Sequence, residues 1–339
     1  MSQIGGAMRR EMQEQPEALA AMAGRLPELI AELRAAGVQR RAGLAILARG
    51  SSDNASRVAG YSAQVRSGMP VSLLSPSVYT SFGQATERYG DWTVLAVSQS
   101  GQTPEIVNLA GRFREAGALV VGMTNDENSE LAQTAGVHLA LDVGPETAVP
   151  ATKTVTAQML AGAAVAAAVS DVELDPAALS ALGDHAAAVL DDASGFDPII
   201  EAITAAGNVA MVGRGYAAAA AFESALKLQE TTGLMAHGFS TADFRHGPLR
   251  LAVGGTPVVG FAGSTRPDTD TTALLHELAG HAPTVLVGPR GGVAFSATEP
   301  ELEAILATIR GQQLALGASL ALGLDPDRPR GLSKVTMTE

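Results

Sequence analysis

Val94-Leu95-Ala96-Val97-Ser98-Gln99-Ser100-Gly101-Gln102-Thr103-Pro104-Glu105 sets the frame for the whole chain. Thr93 to Val97 is an apolar run of strand length. Four polar residues, Ser98, Gln99, Ser100 and Thr103, follow at once around Gly101. Pro104 suits the first turn of a helix, and Glu105 suits its positive end. The stretch therefore predicts a buried strand, a hydroxyl-rich turn and a helix start. Such a turn offers backbone N–H groups, three hydroxyls and an amide, backed by a helix dipole, and a phosphate fits that set best. The turn holds no Lys or Arg. Neutral donors suit a sugar phosphate better than a nucleoside triphosphate. The same residues are also compatible with an ordinary strand–turn–helix carrying a hydroxyl cap.

The same alternation extends on both sides. Residues 8–37 have apolar positions near helical spacing, and Gly37 ends the run. Leu44–Leu47 reads as a strand, Arg49–Asn54 as the turn after it, and a small-residue helix follows to about Ser67. Val71–Leu74 is a second strand and 77–84 a loop. The stretch 104–117 is a helix, 118–124 a strand, 129–135 a short helix and 137–141 a further strand. Strands alternating with helices imply a parallel, doubly wound α/β sheet. In such sheets ligands sit past the carboxyl ends of strands, where the strand order reverses. The turns 49–54 and 98–103 both follow strands and are expected to face one crevice.

A polar loop, Glu146 to Lys153, leads into an Ala-rich helix over about 153–169, then a linker at 171–176 and another helix over 177–193. The pattern then returns. Arg214-Gly215 matches Arg49-Gly50 at an offset of 165, and the strands at 257–264 and 284–288 match those at 93–98 and 119–122 at 164 to 166. The constant spacing predicts two copies of one α/β domain. The expected segments are 1–38 (helical), 39–172, 173–324 and a tail, 325–339. The second copy lacks the Ser-x-Ser-Gly-x-Thr turn, so one phosphate site per chain is expected, in the first half.

The composition narrows the function classes. Of 339 residues, 46% are hydrophobic, enough for a large core, and the formal net charge of −12 argues against nucleic acid or an anionic membrane as partner. There is no Cys, which removes disulfides, thiolate metal sites and a Cys nucleophile. The six histidines show no metal-ligand spacing, so neither a metal nor a cofactor is expected. The polar start of the chain does not read as a secretory signal, and the apolar 159–169 run is too short for a bilayer. The expectation is a soluble cytoplasmic protein.

Titratable residues concentrate in the second half. Glu223, Lys227 and Glu230 fall at i, i+4 and i+7 on one helix face, a pattern that serves a solvated surface as well as catalysis. His246 sits in Arg245-His-Gly-Pro-Leu249, a rigid turn where an exposed imidazole either serves as an acid or base or has no task. Lys334 lies on an extended, proline-containing tail and by default is a solvated lysine.

Five stretches occur in a telling order: Ser98–Thr103, Val149-Pro-Ala-Thr-Lys153, Ala225–Glu230, Arg245–Leu249 and Asp327–Lys334. Together they resemble the sugar isomerase (SIS) half of glucosamine-6-phosphate synthase, from about residue 40 onward. The resemblance implies two tandem flavodoxin-like SIS domains. It implies that Ser98, Gln99, Ser100 and Thr103 hold the sugar phosphate and that Ser51, Ser52 and Val149 line the sugar site. Glu230 would shuttle a proton between C1 and C2, Lys227 would assist, and His246 would open the ring from the partner subunit of a homodimer. Lys334 would form a Schiff base with a ketose phosphate. An aldose–ketose shift needs such a carboxylate base and an acid for ring opening, and a lysine imine acidifies the neighbouring carbon. The synthases also carry an N-terminal glutaminase with a Cys nucleophile, which this sequence does not contain. Ala151 replaces a serine of the sugar loop, Pro150 is unusual there, and Arg49-Gly-Ser-Ser52 stands where the synthase has Cys-Gly-Thr-Ser. The expected activity is therefore an amino-sugar phosphate deaminase/isomerase, converting glucosamine-6-phosphate and water to fructose-6-phosphate and ammonia. A deglycase or dehydratase of another N-substituted sugar phosphate, and a non-catalytic sugar-phosphate sensor, stay open.

Overall fold

The apolar runs of the sequence become nine strands in the computed structural model, which describes residues 4–334. β1 (Leu44–Leu47), β2 (Val71–Leu73), β3 (Thr93–Val97), β4 (Leu119–Thr124) and β5 (Val137–Ala140) form one sheet in the order β2-β1-β3-β4-β5. β6 (Asn208–Gly213), β7 (Met235–Ser240), β8 (Val258–Phe261) and β9 (Thr284–Val287) form the other in the order β7-β6-β8-β9. Every pairing is parallel. β1 and β3 are buried at every residue, as parallel strands covered by helices on both faces must be.

The second order repeats the first four positions of the first, strand for strand. The two tandem doubly wound α/β domains expected from the constant offset are therefore present. In each, the order reverses between the first strand of the copy and its third, and the phosphate-type turn of the first copy follows β3.

Two units compose the chain. One holds residues 21–145 and 157–175, with the five-stranded sheet; the other holds residues 4–20, 146–156 and 176–334, with the four-stranded sheet. Each is built from three or two separate pieces of sequence, where the sequence reading drew contiguous segments.

In the first unit the helix Gly50–Ser67 lies close on β1 and β2. A Cβ at Gly60 would come within 3.1 Å of Ile46 and 3.2 Å of Val71. Phe113, Leu109 and Ile106 of the helix Pro104–Glu115 pack against β3 and β4 with Tyr79 in a single core. Tyr79 meets Phe113 edge to face at 5.2 Å. The segment 77–84, expected as a loop, begins instead with a short helix, Pro76–Thr80, started by a proline at its first position.

In the second unit the helices Ala217–Thr232 and Pro300–Ala321 lie against each other. Gly311 permits the close approach, because a Cβ there would overlap the Ser224 side chain. Residues 237–245, unassigned in the sequence reading, contribute to β7 and to a short helix, Thr241–Arg245. The helices Asp197–Ala206, Thr269–Leu278 and Pro300–Ala321 also went unread. No helix among the described residues is long and apolar enough to cross a membrane. The end of the expected tail, 335–339, lies outside the described residues.

Candidate active site

The turn after β3 is tied down from within and from the next loop. Ser98 accepts the Gly101 amide at its carbonyl (3.1 Å) and at its hydroxyl (3.2 Å), and its hydroxyl lies 3.2 Å from that of Thr103. The Asn125 amide donates to the Gln99 carbonyl, and the Leu131 amide to that of Gly101, both at 3.0 Å. Gly101 has φ +62°, and a Cβ on it would lie 2.2 Å from the Ser129 hydroxyl, so only glycine fits. Ser98 is buried, while Gln99, Ser100 and Thr103 are half-buried. Thr103 is the N-cap of the helix Pro104–Glu115, which brings the positive end of that helix to the turn.

The neighbouring turn after β1 belongs to the same unit. Ser51 is half-buried and Ser52 buried at the start of the helix Gly50–Ser67. The Gln158 amide donates to the Ser52 hydroxyl at 3.1 Å. Arg49 precedes them and donates from Nε (3.1 Å) and Nη2 (2.9 Å) to Oε2 of Glu105. The Glu105 side chain is only 3% exposed. This ion pair joins the two turns, since Glu105 is the second residue of the helix that the other turn begins. The sequence reading placed both turns together but missed the pair.

The second unit holds the titratable candidates. Glu223, Lys227 and Glu230 do share one face of the helix Ala217–Thr232, but the face is not solvated. Glu223 and the Lys227 side chain are buried, and only Glu230, at 19% exposure, reaches outward. The Lys227 ammonium sits 3.3 Å from Glu223 and also binds Glu230. Burial alone would lower the Lys227 pKa, but the two carboxylates outweigh it and hold it above the ordinary lysine value. The arrangement is a buried cation paired with a partly exposed carboxylate, a pairing suited to a base whose negative charge must be balanced.

His246 closes the helix Thr241–Arg245, its amide donating to the Asp243 carbonyl at 3.0 Å, and it is exposed. Gly247 follows at φ +138°.

Lys334 is not a solvated tail lysine. Its ammonium donates to Oε2 of Glu146 at 2.7 Å, and its side chain is 21% exposed. Glu146 is wholly buried and also accepts the amides of Thr152 (2.9 Å) and Thr154 (3.1 Å) and the Thr154 hydroxyl (2.7 Å). Burial would push this carboxyl up. The Lys334 charge and hydrogen bond, with the Thr154 and Thr152 donors, instead hold it below the usual carboxylate value. Glu146 thus does two jobs: it caps the N-terminus of the helix Lys153–Ala168 and anchors Lys334.

The loop that carries half-buried Val149 is fixed at its other end by Glu11. That carboxylate takes the Thr147 amide and hydroxyl at 2.6 and 2.7 Å and the Ala148 amide at 3.1 Å. The tail before Lys334 is pinned too, because Asp327 accepts the Ala7 and Met8 amides at 2.7 and 2.8 Å. Sequence reasoning gave Glu146 no role. The signal available was an acidic residue followed by two threonines just before a helix start.

The second copy's counterpart of the phosphate-type turn is filled from inside. The Ser264 amide and hydroxyl donate to Glu303 at 2.7 and 2.6 Å, and the Thr298 amide adds a third bond at 3.1 Å. No group of three or more His, Asp or Glu residues among those described could hold a metal ion.

Comparison with known proteins agrees with this architecture. The SIS domain model matches residues 44–168 and 202–287, more than half of the chain. The glutamine–fructose-6-phosphate aminotransferase (isomerizing) of Aeropyrum pernix is 32% identical over 98% of this chain and 57% of its own length. The chain thus spans little more than half the length of such curated relatives. A crystal structure of a candidate phosphosugar isomerase from Silicibacter pomeroyi superposes with a TM-score of 0.85 at 30% identity, covering 95% of this chain and 99% of that one. The glucosamine-6-phosphate deaminase structure from Thermotoga maritima shares the fold, with a TM-score of 0.75 at 20% identity over 96% of this chain and all of that one. Two repeated parallel sheets, a hydroxyl-rich turn at the first reversal of strand order and this match lead to one assignment: the chain belongs to the SIS domain family, and its relatives include the isomerase part of the glutamine–fructose-6-phosphate aminotransferases.

Proposed function

We propose that the protein is an amino-sugar phosphate deaminase/isomerase that converts glucosamine-6-phosphate and water to fructose-6-phosphate and ammonia. The observation that carries the reading is the Glu223–Lys227–Glu230 trio, in which one carboxylate is partly exposed and backed by a buried cation. In the proposed sequence the 98–103 turn anchors the phosphate and His246, supplied by a partner subunit, opens the ring. Glu230 takes the C2 proton of the open aldose and returns it at C1, which leaves a C2 iminium. Lys227 balances the charge that Glu230 gives up and regains. The Lys334 amine, positioned by Glu146 at 2.7 Å and having given its proton to water, attacks C2 and expels ammonia. Water then hydrolyses the lysine imine and releases the ketose phosphate. Ser51, Ser52 and Val149 line the sugar.

The test is ammonia and ketose-phosphate release from glucosamine-6-phosphate, galactosamine-6-phosphate and N-acetylglucosamine-6-phosphate, measured side by side. Ammonia in step with ketose phosphate from a free amino sugar supports the reading, and Glu230→Gln should bind that sugar yet turn it over at least about 100-fold more slowly, the scale of a lost acid–base group. Full activity in Glu230→Gln would overturn the mechanism. Binding of a sugar phosphate with no ammonia would move the assignment to a deglycase, a dehydratase or a sensor. Ala151, in place of the serine expected in the sugar loop, is the feature that favours the deglycase or dehydratase.

A further inference from the structure

The 98–103 turn has no cation of its own, and Glu105, one helical turn along, is an acid buried next to it. Left alone, that carboxylate would oppose a phosphate and compete with it for the positive end of the helix. Arg49 changes the balance. Both of its bonds to Glu105 fall on Oε2 and use the side edge of the guanidinium, Nε and one Nη2. A guanidinium has five N–H donors in a planar fork, so the end edge, Nη1 with the second Nη2–H, is left over. No acceptor among the described residues takes Nη1, and the Arg49 side chain is 51% exposed. Glu105 is meanwhile fixed by the helix it begins and by the Thr80 hydroxyl 3.5 Å from Oε1. The acid therefore holds the guanidinium by one edge, at the second residue of the helix that the turn begins, and leaves the other edge without a protein acceptor among the described residues.

We propose that Arg49, held by Glu105, is the cation of the phosphate subsite and sets the preference of this chain for phosphorylated over unphosphorylated sugars. The proposal rests on the sugar-phosphate reading of the turn and adds a specificity-determining residue to it. An end-on guanidinium matches two phosphate oxygens at once, which a lysine in the same place could not.

The experiment is calorimetric titration of the wild-type chain, Arg49→Gln and Arg49→Lys with glucosamine-6-phosphate, glucosamine and inorganic phosphate, with a thermal melt of each variant. Arg49→Gln should weaken glucosamine-6-phosphate and inorganic phosphate by about 10- to 100-fold, the range of a charge-assisted bidentate contact, and leave glucosamine unchanged. Arg49→Lys keeps the charge but not the fork and should fall between. It carries the test if the Gln variant does not fold. Equal weakening of all three ligands, or unchanged affinities beside a lowered melting temperature, would make Arg49 a strap between two turns and overturn the proposal. Wild-type protein that binds neither phosphate compound would overturn the sugar-phosphate reading itself, and this proposal with it.

Discussion

Glu146 is the residue whose replacement asks most of the structure. Glu146→Gln keeps the shape, and the amide oxygen can still accept from Thr152 and Thr154. Its NH2, however, would face the Lys334 ammonium, and neither group can accept. The lost charge-assisted bond is worth about 1.5–3 kcal/mol, reduced because the Lys334 side chain is 21% exposed and can hydrate, so a net loss of about 1–2 kcal/mol is expected. Glu146→Ala also orphans two amides and a hydroxyl of buried threonines, at about 1–3 kcal/mol each, and should cost at least about 3 kcal/mol.

Urea unfolding read by circular dichroism measures both variants. The carboxyl is held below its ordinary value in the folded chain, so its stabilisation is complete above the unfolded carboxyl value, about 4.3. That stabilisation is lost as pH falls through the lower folded value, and the gap between wild type and Glu146→Gln should narrow on acidification. A second readout is borohydride trapping of fructose-6-phosphate on Lys334, followed by mass spectrometry. The Gln variant should trap at least about tenfold less, because the amine loses its fixed position. A Gln variant equal to wild type in unfolding midpoint and imine yield, or a gap that ignores pH, would refute the reasoning.

Two further perturbations test the other buried groups. Lys227→Met strips the cation from Glu223, which is 0% exposed, and should cost about 3–5 kcal/mol in urea unfolding. Adding Glu223→Gln should restore at least half of that, and simple additivity would argue against a coupled trio. Gly101→Ala forces a side chain into positive φ and against Ser129, and should cost about 1–3 kcal/mol while abolishing the melting-temperature rise given by inorganic phosphate. A variant that still responds to phosphate would mean the turn tolerates a reshaped backbone.

What could be read in the sequence was local or periodic. The strands β1, β3, β4, β6, β8 and β9 announce themselves as apolar runs, and their offset near 165 carries the repeat without any knowledge of contacts. The turn residues Ser98 to Thr103 stand together in the chain, so their grouping was visible at once. The burial of Glu223 and Lys227 was not. Glu223, Lys227 and Glu230 form a stripe of the kind a solvated face shows, and only the packing of the helix against its own sheet and Pro300–Ala321 buries it. The Arg49–Glu105 and Glu146–Lys334 pairs join residues 56 and 188 positions apart, and neither partner's neighbours in sequence hint at the other. The helix at Pro76–Thr80 was overlooked because five residues give no period to detect.

Glu303 gives the second sheet a different status from the first. The donors that follow β8 already hold an anion, and it is one that cannot leave. A tethered carboxylate competes with any dissolved phosphate at an effective concentration in the millimolar range or above, whatever the supply of metabolite. The turn after β8 is thereby closed to a dissolved anion, while the turn after β3 has no carboxylate of its own among its hydroxyls and amides. In this chain the turn after β8 serves as a structural fastener between that strand and the helix Pro300–Ala321.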